Sequence, residues 1–290
     1  LRTNEWCSYT PRRKRQSVLS RAVSNAHSPD LELRTASPPD AEGPPLLFVH
    51  GAYVGAWCWA EHFLPALADR GYTAHAVSLR GHGESGGRLT TAGVDDFVAD
   101  LRRTVDHLDA SPVLVGHSMG GVVVQRYLQQ YDAPGAALMA SLPPQGMAGL
   151  TAQFAGRDPA LWFQFGVLQA FGPGVASPRA LRRALFSDDL PTDRVADYAS
   201  QVRGESPRAL AELTTPIVTG RLPDDVPALV VGAGEDSIVP RWAVEATARA
   251  FDTDATFVPG VAHAMMLDTG WEQSLHALVD WLASRDLTPN

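Results

Sequence analysis

The chain has 290 residues, enough for one large domain with an inserted subdomain. Hydrophobic residues make up 45% and charged residues 19%, values typical of a globular protein with a sizeable core rather than a disordered or fibrous chain. A formal net charge of −8 argues against a nucleic-acid partner, because phosphate binding needs clustered lysine and arginine.

Residues 1–30 form a basic, Ser- and Arg-rich stretch that is predicted to be a disordered tail. An organellar transit peptide is the alternative, and otherwise a cytoplasmic location is expected. The chain has no apolar run of about 18 residues, so no integral membrane segment is expected. Two cysteines, Cys7 and Cys58, are too few for a disulfide framework and match no metal-ligand spacing, although a bridge between them stays open. Neither a metal nor a cofactor is expected.

From residue 31 onward, strand-like and helical patterns alternate, which predicts an α/β core formed by residues 31–141 and 223–290. The predicted strands, starting with an edge strand, are Leu31–Ala36, Leu46–Val49, Tyr72–Leu79, Val113–Val115, Ala136–Ala140, Ala228–Val231 and Ala255–Val258. The predicted helices are Val94–Leu108, Val122–Tyr131, one near Trp242–Phe251, and a final amphipathic helix that begins near Trp271.

Residues 142–222 interrupt this alternation, since they contain no long strand-like run. An insertion of this length between two strands predicts a helical lid or cap. Its almost uncharged aromatic stretch includes Trp162 and Phe165, which are candidate substrate contacts. The alternative is that these aromatic residues form the small core of the lid itself.

Ser118 is the candidate nucleophile, in the segment Gly116-His117-Ser118-Met119-Gly120. Glycines on both sides permit a sharp turn that holds the hydroxyl at the top of the sheet. The pentapeptide alone is a weak motif, but a buried strand before it and a helix after it provide the context that the motif requires. A serine hydroxyl also needs a base beside it.

Two histidines follow the lid, and His263 is the better candidate base because it follows a predicted strand, whereas His276 lies on the polar side of the last helix. An acid must orient that histidine. Asp236 follows the Ala228–Val231 strand and opens a turn, so it is the predicted acid, with Glu235 as the alternative.

Two backbone N–H groups are expected to stabilise an oxyanion. Met119 would supply one, and Ala52 or Tyr53 the other, after His50-Gly51. The alternative for His50-Gly51 is a turn that merely ends a strand. Further candidate substrate contacts are Trp57, His117 and Met266, although Trp57 or Trp59 is expected to pack against the lid.

Together these segments resemble the α/β-hydrolase family over residues 31–285. His50-Gly51 looks like its oxyanion motif, residues 80–85 like the loop before its next helix, and residues 116–121 like its nucleophile elbow. The chain order Ser118, Asp236, His263 is also the order of the family. The resemblance implies an α/β fold with a mostly parallel eight-stranded sheet, flanked by helices, and a helical cap after strand six.

Residues 51–59 are also similar to plant-type methylesterases and hydroxynitrile lyases. Those lyases rely on an active-site lysine, and Lys14, the only lysine of the chain, lies in the tail. Family members with a carboxylate nucleophile are disfavoured, because Ser118 occupies the elbow.

The expected reaction is hydrolysis of a small or medium apolar carboxylic ester through an acyl-enzyme, with a small-molecule ester as partner. Hydrolysis of a C–C bond or a thioester, or acyl transfer, would use the same three residues. A small-molecule receptor without turnover is the alternative from another class. The oligomeric state is not predicted.

Overall fold

A computed structural model of the protein describes residues 18–25, 28–39, 41–171 and 177–289. Cys7 and Lys14 lie outside these ranges. The strands are β1 (Leu19–Asn25), β2 (Ser28–Ala36), β3 (Leu46–Val49), β4 (Ala74–Val77), β5 (Val113–His117), β6 (Ala136–Met139), β7 (Ala228–Ala233) and β8 (Ala255–Val258).

Eleven α-helices lie within the described ranges. They are α1 (Trp57–Ala60), α2 (Phe63–Ala68), α3 (Val94–His107), α4 (Met119–Leu128), α5 (Ala148–Arg157), α6 (Pro159–Phe171), α7 (Pro178–Leu185), α8 (Thr192–Gln201), α9 (Pro207–Glu212), α10 (Arg241–Ala250) and α11 (Trp271–Ser284).

All eight strands form one sheet in the order β1-β2-β4-β3-β5-β6-β7-β8. The β1–β2 and β2–β4 pairs are antiparallel, and the other five pairs are parallel, which confirms the predicted fold class. From β3 the chain moves to β4 on one side and then crosses back to β5 on the other side. Such a reversal opens a crevice at the carboxyl ends of β3 and β5, where open α/β sheets bind ligands.

Side chains that alternate along the buried strands divide the core into two layers. On β3, Leu47 and Val49 join the cluster packed against α3, α4 and α10, whereas Leu46 and Phe48 join the cluster that includes α1, α2 and α11. Because both faces are covered, the central strands are continuous apolar runs.

The N-terminal part of the core differs from the prediction. Residues 19–25, assigned to a disordered tail, form β1 and pair with β2 from Leu19↔Thr35 to Asn25↔Ser28. The predicted edge strand Leu31–Ala36 is therefore the second strand, and β1 is the edge. The sequence does not reveal this strand because most of its side chains are exposed: Val23 is the only buried residue among its described side chains.

Five helices, α5 to α9, occupy the connection between β6 and β7, after the sixth strand. They lie within the segment 142–222 that was predicted to be inserted and helical. Among the residues described, no helix is both long enough and apolar enough to span a membrane.

A buried histidine in β4 predicts acid sensitivity of the fold. His75 is 6% exposed, its Nδ1 lies 2.8 Å from Thr35 Oγ1, and burial lowers its pKa to about 4. The unfolded chain binds a proton near pH 6.5. The unfolded state therefore holds more protons between these two values, so this contribution to stability is complete above pH 6.5 and is lost as the pH falls toward 4.

Chemical unfolding at several pH values between 7.5 and 4.5 tests this. The wild-type unfolding free energy should fall by up to about 1.4 kcal/mol per pH unit because of this group, and His75→Gln should flatten the slope by that amount. His276→Gln changes an exposed histidine of α11 and should keep the wild-type slope. Equal slopes for the two variants would contradict the assignment.

Candidate active site

Ser118 stands at the turn between β5 and α4, with backbone angles φ 52° and ψ −117°. A non-glycine residue with positive φ is strained, and such strain clusters at functional sites. Its N–H donates to the carbonyl of Met139 on β6 (3.1 Å), which anchors the turn. Helix α4 begins at Met119, three residues earlier than predicted, because the chain enters the helix directly from Ser118.

The flanking glycines allow close packing rather than an unusual backbone conformation. A Cβ on Gly120 would clash with the carbonyl oxygens of Val49 and His50, and a Cβ on Gly116 would clash with the backbone of Gly120 and Gly121. Neither Gly116 nor Gly120 has a positive φ. The turn itself is therefore pressed against the carboxyl end of β3.

Ser118, His263 and Asp236 form a continuous hydrogen-bonded chain. His263 Nε2 lies 3.1 Å from Ser118 Oγ, and His263 Nδ1 lies 2.9 Å from Asp236 Oδ2. Because a carboxylate only accepts hydrogen bonds, Nδ1 carries the proton, and Nε2 directs its lone pair at the serine hydroxyl. The three side chains are almost entirely buried.

Asp236 is held rigidly by its own turn. Its Oδ1 accepts the backbone N–H groups of Ile238 and Val239, both at 2.8 Å. Glu235, the alternative acid, is exposed, as is His276, the alternative base. The structure therefore brings Asp236 and His263 to Ser118 and leaves both alternatives outside the site.

The structure distinguishes the two candidates for the second oxyanion donor. The N–H of Tyr53 donates to Glu205 Oε2 (3.0 Å) and is not available. Within the described ranges, no hydrogen-bond partner is found for the N–H of Ala52 or of Met119, and both residues line the cavity in front of Ser118. Ala52 is therefore the better candidate, and Tyr53 as a donor is wrong.

His50 fixes the loop that carries Ala52. Its Nδ1–H donates to the carbonyl of Gly51 (2.7 Å), and its Nε2 accepts the N–H of Leu79 (3.0 Å). Burial holds its pKa well below the usual range, with a further contribution from His82, so the ring is neutral. The His50-Gly51 pair therefore fixes the loop that carries Ala52, in addition to ending β3.

His117 faces the cavity and supports the base. Its Nε2–H donates to the backbone carbonyl of His263 (2.8 Å). Burial, followed by the nearby charge of His263, lowers its pKa to about 3, so this ring is neutral and keeps the donor in place.

The cavity at Ser118 has a volume of about 150 Å³ and an almost entirely apolar wall. Trp57, His117 and Met266 line it, and their contact with a substrate stays a prediction. Trp162 is 42% exposed on α6 and is absent from the described part of the cavity wall, so its contact with a substrate stays a prediction that this wall does not support. The side chain of Phe165 lies outside the described part of the structure.

The two tryptophans beside Cys58 have different environments. Trp57 lines the cavity and stacks on Tyr198 of α8 at 6.0 Å between ring centroids. Trp59 is fully buried and packs on Phe48 and Phe63. Cys58 is buried between them, and burial raises the pKa of its thiol, which makes it a packing residue rather than a nucleophile.

Several cavity residues were missed in the sequence because they lie on the inserted helices or directly after them. They are Leu181, Leu185, Phe186, Tyr198, Val202, Leu210 and Leu213. Leu181 and Leu185 are four residues apart on the Arg-rich helix α7, so this helical spacing was the available signal.

Asp268, also missed, joins the insertion to the loop that carries His263. Its carboxylate is fully buried and accepts the N–H groups of Ala262 (2.7 Å) and Ser187 (3.1 Å) as well as Ser187 Oγ–H (2.8 Å). The N–H of Ala264 donates to the carbonyl of Leu185 (2.8 Å). No group of three or more His, Cys, Asp and Glu side chains in the described ranges could hold a metal ion.

Comparisons with known proteins agree with this architecture. A model of the alpha/beta hydrolase family matches residues 46–280. The chain is 35% identical over 107 residues to the non-heme chloroperoxidase CPO-A1 of Kitasatospora aureofaciens, which covers 36% of this chain and 38% of that protein. The monoacylglycerol lipase of Mycolicibacterium smegmatis is 27% identical, with 77% of this chain and 82% of that protein covered.

Among solved structures, a thermophilic esterase from Thermogutta terrifontis superposes with a TM-score of 0.67 at 20% identity, and covers 93% of this chain and 99% of that one. At this identity the likeness shows the fold alone. The chain spans between 30% and 38% of the length of several curated relatives that it matches.

The packing of Gly120 predicts a large loss of stability on substitution. Because Gly120→Ala places a methyl group against two backbone carbonyls, the unfolding free energy should fall by roughly 1–3 kcal/mol or more, measured by chemical denaturation. Gly156→Ala is the matched control, since a Cβ there meets no described atom within 4 Å and α5 should gain up to about 1 kcal/mol. Similar effects at both positions would contradict the close packing.

The contacts of Asp236 predict which carboxylate activates Ser118. Asp236→Ala should slow covalent labelling of the chain by a fluorophosphonate by about two to four orders of magnitude, because His263 loses its orienting partner. Glu235→Ala removes the neighbouring exposed carboxylate and should label at the wild-type rate. A larger loss at Glu235 would overturn the assignment of the acid.

Proposed function

The chain belongs to the alpha/beta hydrolase family, and on that basis we propose that it is a serine hydrolase that cleaves small or medium apolar carboxylic esters. One observation carries the proposal: the hydrogen-bonded chain Ser118–His263–Asp236 ends at the wall of an apolar cavity. This arrangement combines an activated nucleophile with an apolar site for an acyl group.

In the first half of the reaction, Ser118 Oγ attacks the ester carbonyl carbon while His263 Nε2 takes the hydroxyl proton. The N–H groups of Ala52 and Met119 would stabilise the resulting oxyanion. The C–O bond to the alcohol then breaks, and the imidazolium of His263 returns its proton to the leaving alkoxide. The acyl group remains on Ser118, and the alcohol departs.

In the second half, water replaces the alcohol. His263 removes a proton from that water, the hydroxide attacks the acyl carbonyl, and a second oxyanion forms between the same donors. When it collapses, the bond to Ser118 Oγ breaks and His263 protonates the serine. Asp236 stays ionised and stabilises the imidazolium in both halves.

The cavity volume restricts the apolar group. An apolar cavity of about 150 Å³ accommodates a hydrocarbon of about six carbon atoms, the size of benzene. Its wall combines Trp57 from the core with side chains of α7 to α9, so a long acyl chain would have to displace these helices. We therefore expect short and medium apolar acyl groups to be preferred.

The relatives support ester cleavage without specifying the substrate. The names of two of them, the M. smegmatis monoacylglycerol lipase and the T. terrifontis esterase, refer to enzymes that cleave esters. Others are named as haloperoxidases or epoxide hydrolases. Hydrolysis of C–C bonds or thioesters would use the same acyl-enzyme, and only the measured substrate preference distinguishes these reactions.

Nitrophenyl esters of graded acyl length test the proposal. The wild type should turn over the butyrate and hexanoate at least about tenfold faster than the palmitate, in terms of kcat/KM, because the longer chain exceeds the cavity. Ser118→Ala should remove this activity and covalent labelling by a fluorophosphonate.

Two results would contradict the proposal. The first is ester hydrolysis that Ser118→Ala leaves intact. The second is tight binding of an apolar ligand without multiple turnovers, which would indicate a receptor. Faster cleavage of a butyryl thioester or of a 1,3-diketone than of any oxygen ester would retain the nucleophile and reject the ester as the substrate.

A further inference from the structure

The inserted segment reaches the oxyanion loop through Tyr53. The backbone of Tyr53 has a positive φ of 68°. Its carbonyl accepts the N–H of Arg203 (2.9 Å), and its own N–H donates to Glu205 Oε2 (3.0 Å). The backbone N–H and C=O of this strained residue are therefore both held by residues between α8 and α9, outside the sheet core.

Glu205 also binds the loop that follows β4. Its side chain is completely buried, and Oε2 lies 2.9 Å from Nε2 of His82, whose side chain is likewise buried. Its Oε1 accepts the N–H of Ser206 (2.7 Å). His82 packs against His50 at 4.8 Å between ring centroids, and His50 bonds the carbonyl of Gly51. One carboxylate thus links the insertion to two loops at the carboxyl edge of the sheet.

These contacts constrain the peptide groups on both sides of Ala52. A peptide group is planar and its C=O and N–H point in opposite directions. The Gly51–Ala52 group is fixed by His50 at its carbonyl, so the N–H of Ala52 points away from that histidine. The Ala52–Tyr53 group is fixed by Glu205 at the N–H of Tyr53. Rotation of the Ala52 N–H would break the bond between His50 and Gly51, and rotation of the next peptide group would break the bond between Tyr53 and Glu205.

We infer that Glu205 is a positioning residue for the oxyanion hole: through Tyr53 it holds the N–H of Ala52 in the direction that a developing oxyanion on the Ser118 adduct requires. This inference rests on the proposed function. The inserted segment then supports the oxyanion hole as well as lining the cavity, because the oxyanion hole is complete only while residues 203–205 contact the loop that carries Ala52.

The chain offers a matched control in Glu212 of α9. Glu212 also belongs to the inserted segment and also accepts a backbone N–H from the core, that of Val94 at 2.7 Å. That bond lies at the start of α3, and Glu212 is not among the described residues of the cavity wall. Removal of the Glu212 carboxylate breaks one bond between insertion and core, whereas removal of the Glu205 carboxylate breaks two, to Tyr53 and to His82. Only Glu205 reaches the oxyanion loop.

The experiment compares the wild type, Glu205→Ala, Glu205→Gln and Glu212→Ala. Steady-state kinetics on nitrophenyl butyrate separate kcat from KM. Affinity for an alkyl trifluoromethyl ketone reports oxyanion stabilisation, since the ketone binds as a tetrahedral adduct of the serine, and affinity for the matching alkyl alcohol reports the apolar cavity alone. Circular dichroism and thermal melts establish that each variant is folded.

We expect kcat of Glu205→Ala to fall about 10- to 1,000-fold with KM changed less than about threefold, as for loss of one oxyanion donor. Ketone affinity should fall in parallel, while alcohol affinity stays at the wild-type value. Glu205→Gln keeps one acceptor oxygen for Tyr53 and should recover most of kcat. Glu212→Ala should match the wild type in all three measurements.

Several outcomes would overturn the inference. One is equal kinetics for Glu205→Ala and Glu212→Ala, and another is a loss confined to KM and alcohol affinity. If Glu205→Ala does not fold, Glu205→Gln decides alone: a Gln variant with reduced thermal stability but unchanged kcat and ketone affinity rejects the role. A wild type that hydrolyses no ester would instead reject the proposed function and this inference with it.

Discussion

The contact between Gly120 and the end of β3 is the constraint on which the rest of the site depends. Without a side chain, Gly120 lets the nucleophile turn lie directly against the carbonyl oxygens of Val49 and His50. The same approach brings Gly51 against Ser118, where a Cβ on Gly51 would lie 3.2 Å from the serine Cβ. A nucleophile after β5 and a donor loop after β3 become neighbours because these strands are adjacent and their ends touch.

The sheet core and the insertion make different contributions. Loops at the carboxyl ends of β3, β5, β7 and β8 carry the reactive groups. The insertion supplies part of the apolar cavity wall and also bonds two of those loops: residues 185 and 187 hold the loop of His263, and residues 203 and 205 hold that of Tyr53. Catalytic geometry must be held within a fraction of an ångström, so such supporting contacts matter as much as the groups they support.

Most of the candidate site was predictable because its residues directly follow apolar runs. A strand ends where its apolar run ends, and in a parallel sheet the carboxyl ends meet at one edge, so these local patterns are enough to place Ser118, Asp236 and His263 together. That argument does not extend to Trp162, because an aromatic residue on a helix does not reveal which face is covered. It failed for β1, where mostly exposed side chains resemble a tail and only pairing with β2 defines the strand.

The sequence alone determined the fold class, seven of the eight described strands, the helical insertion after β6, and the residue types for an activated serine. These depend on local patterns: apolar runs, helical spacing and glycines around a turn. Only the tertiary structure decided between Ala52 and Tyr53, since that choice depends on a hydrogen bond to Glu205, 152 residues away along the chain. A partner at that distance leaves no local pattern, because burial and hydrogen bonding of a backbone N–H are set by whichever segment packs against it.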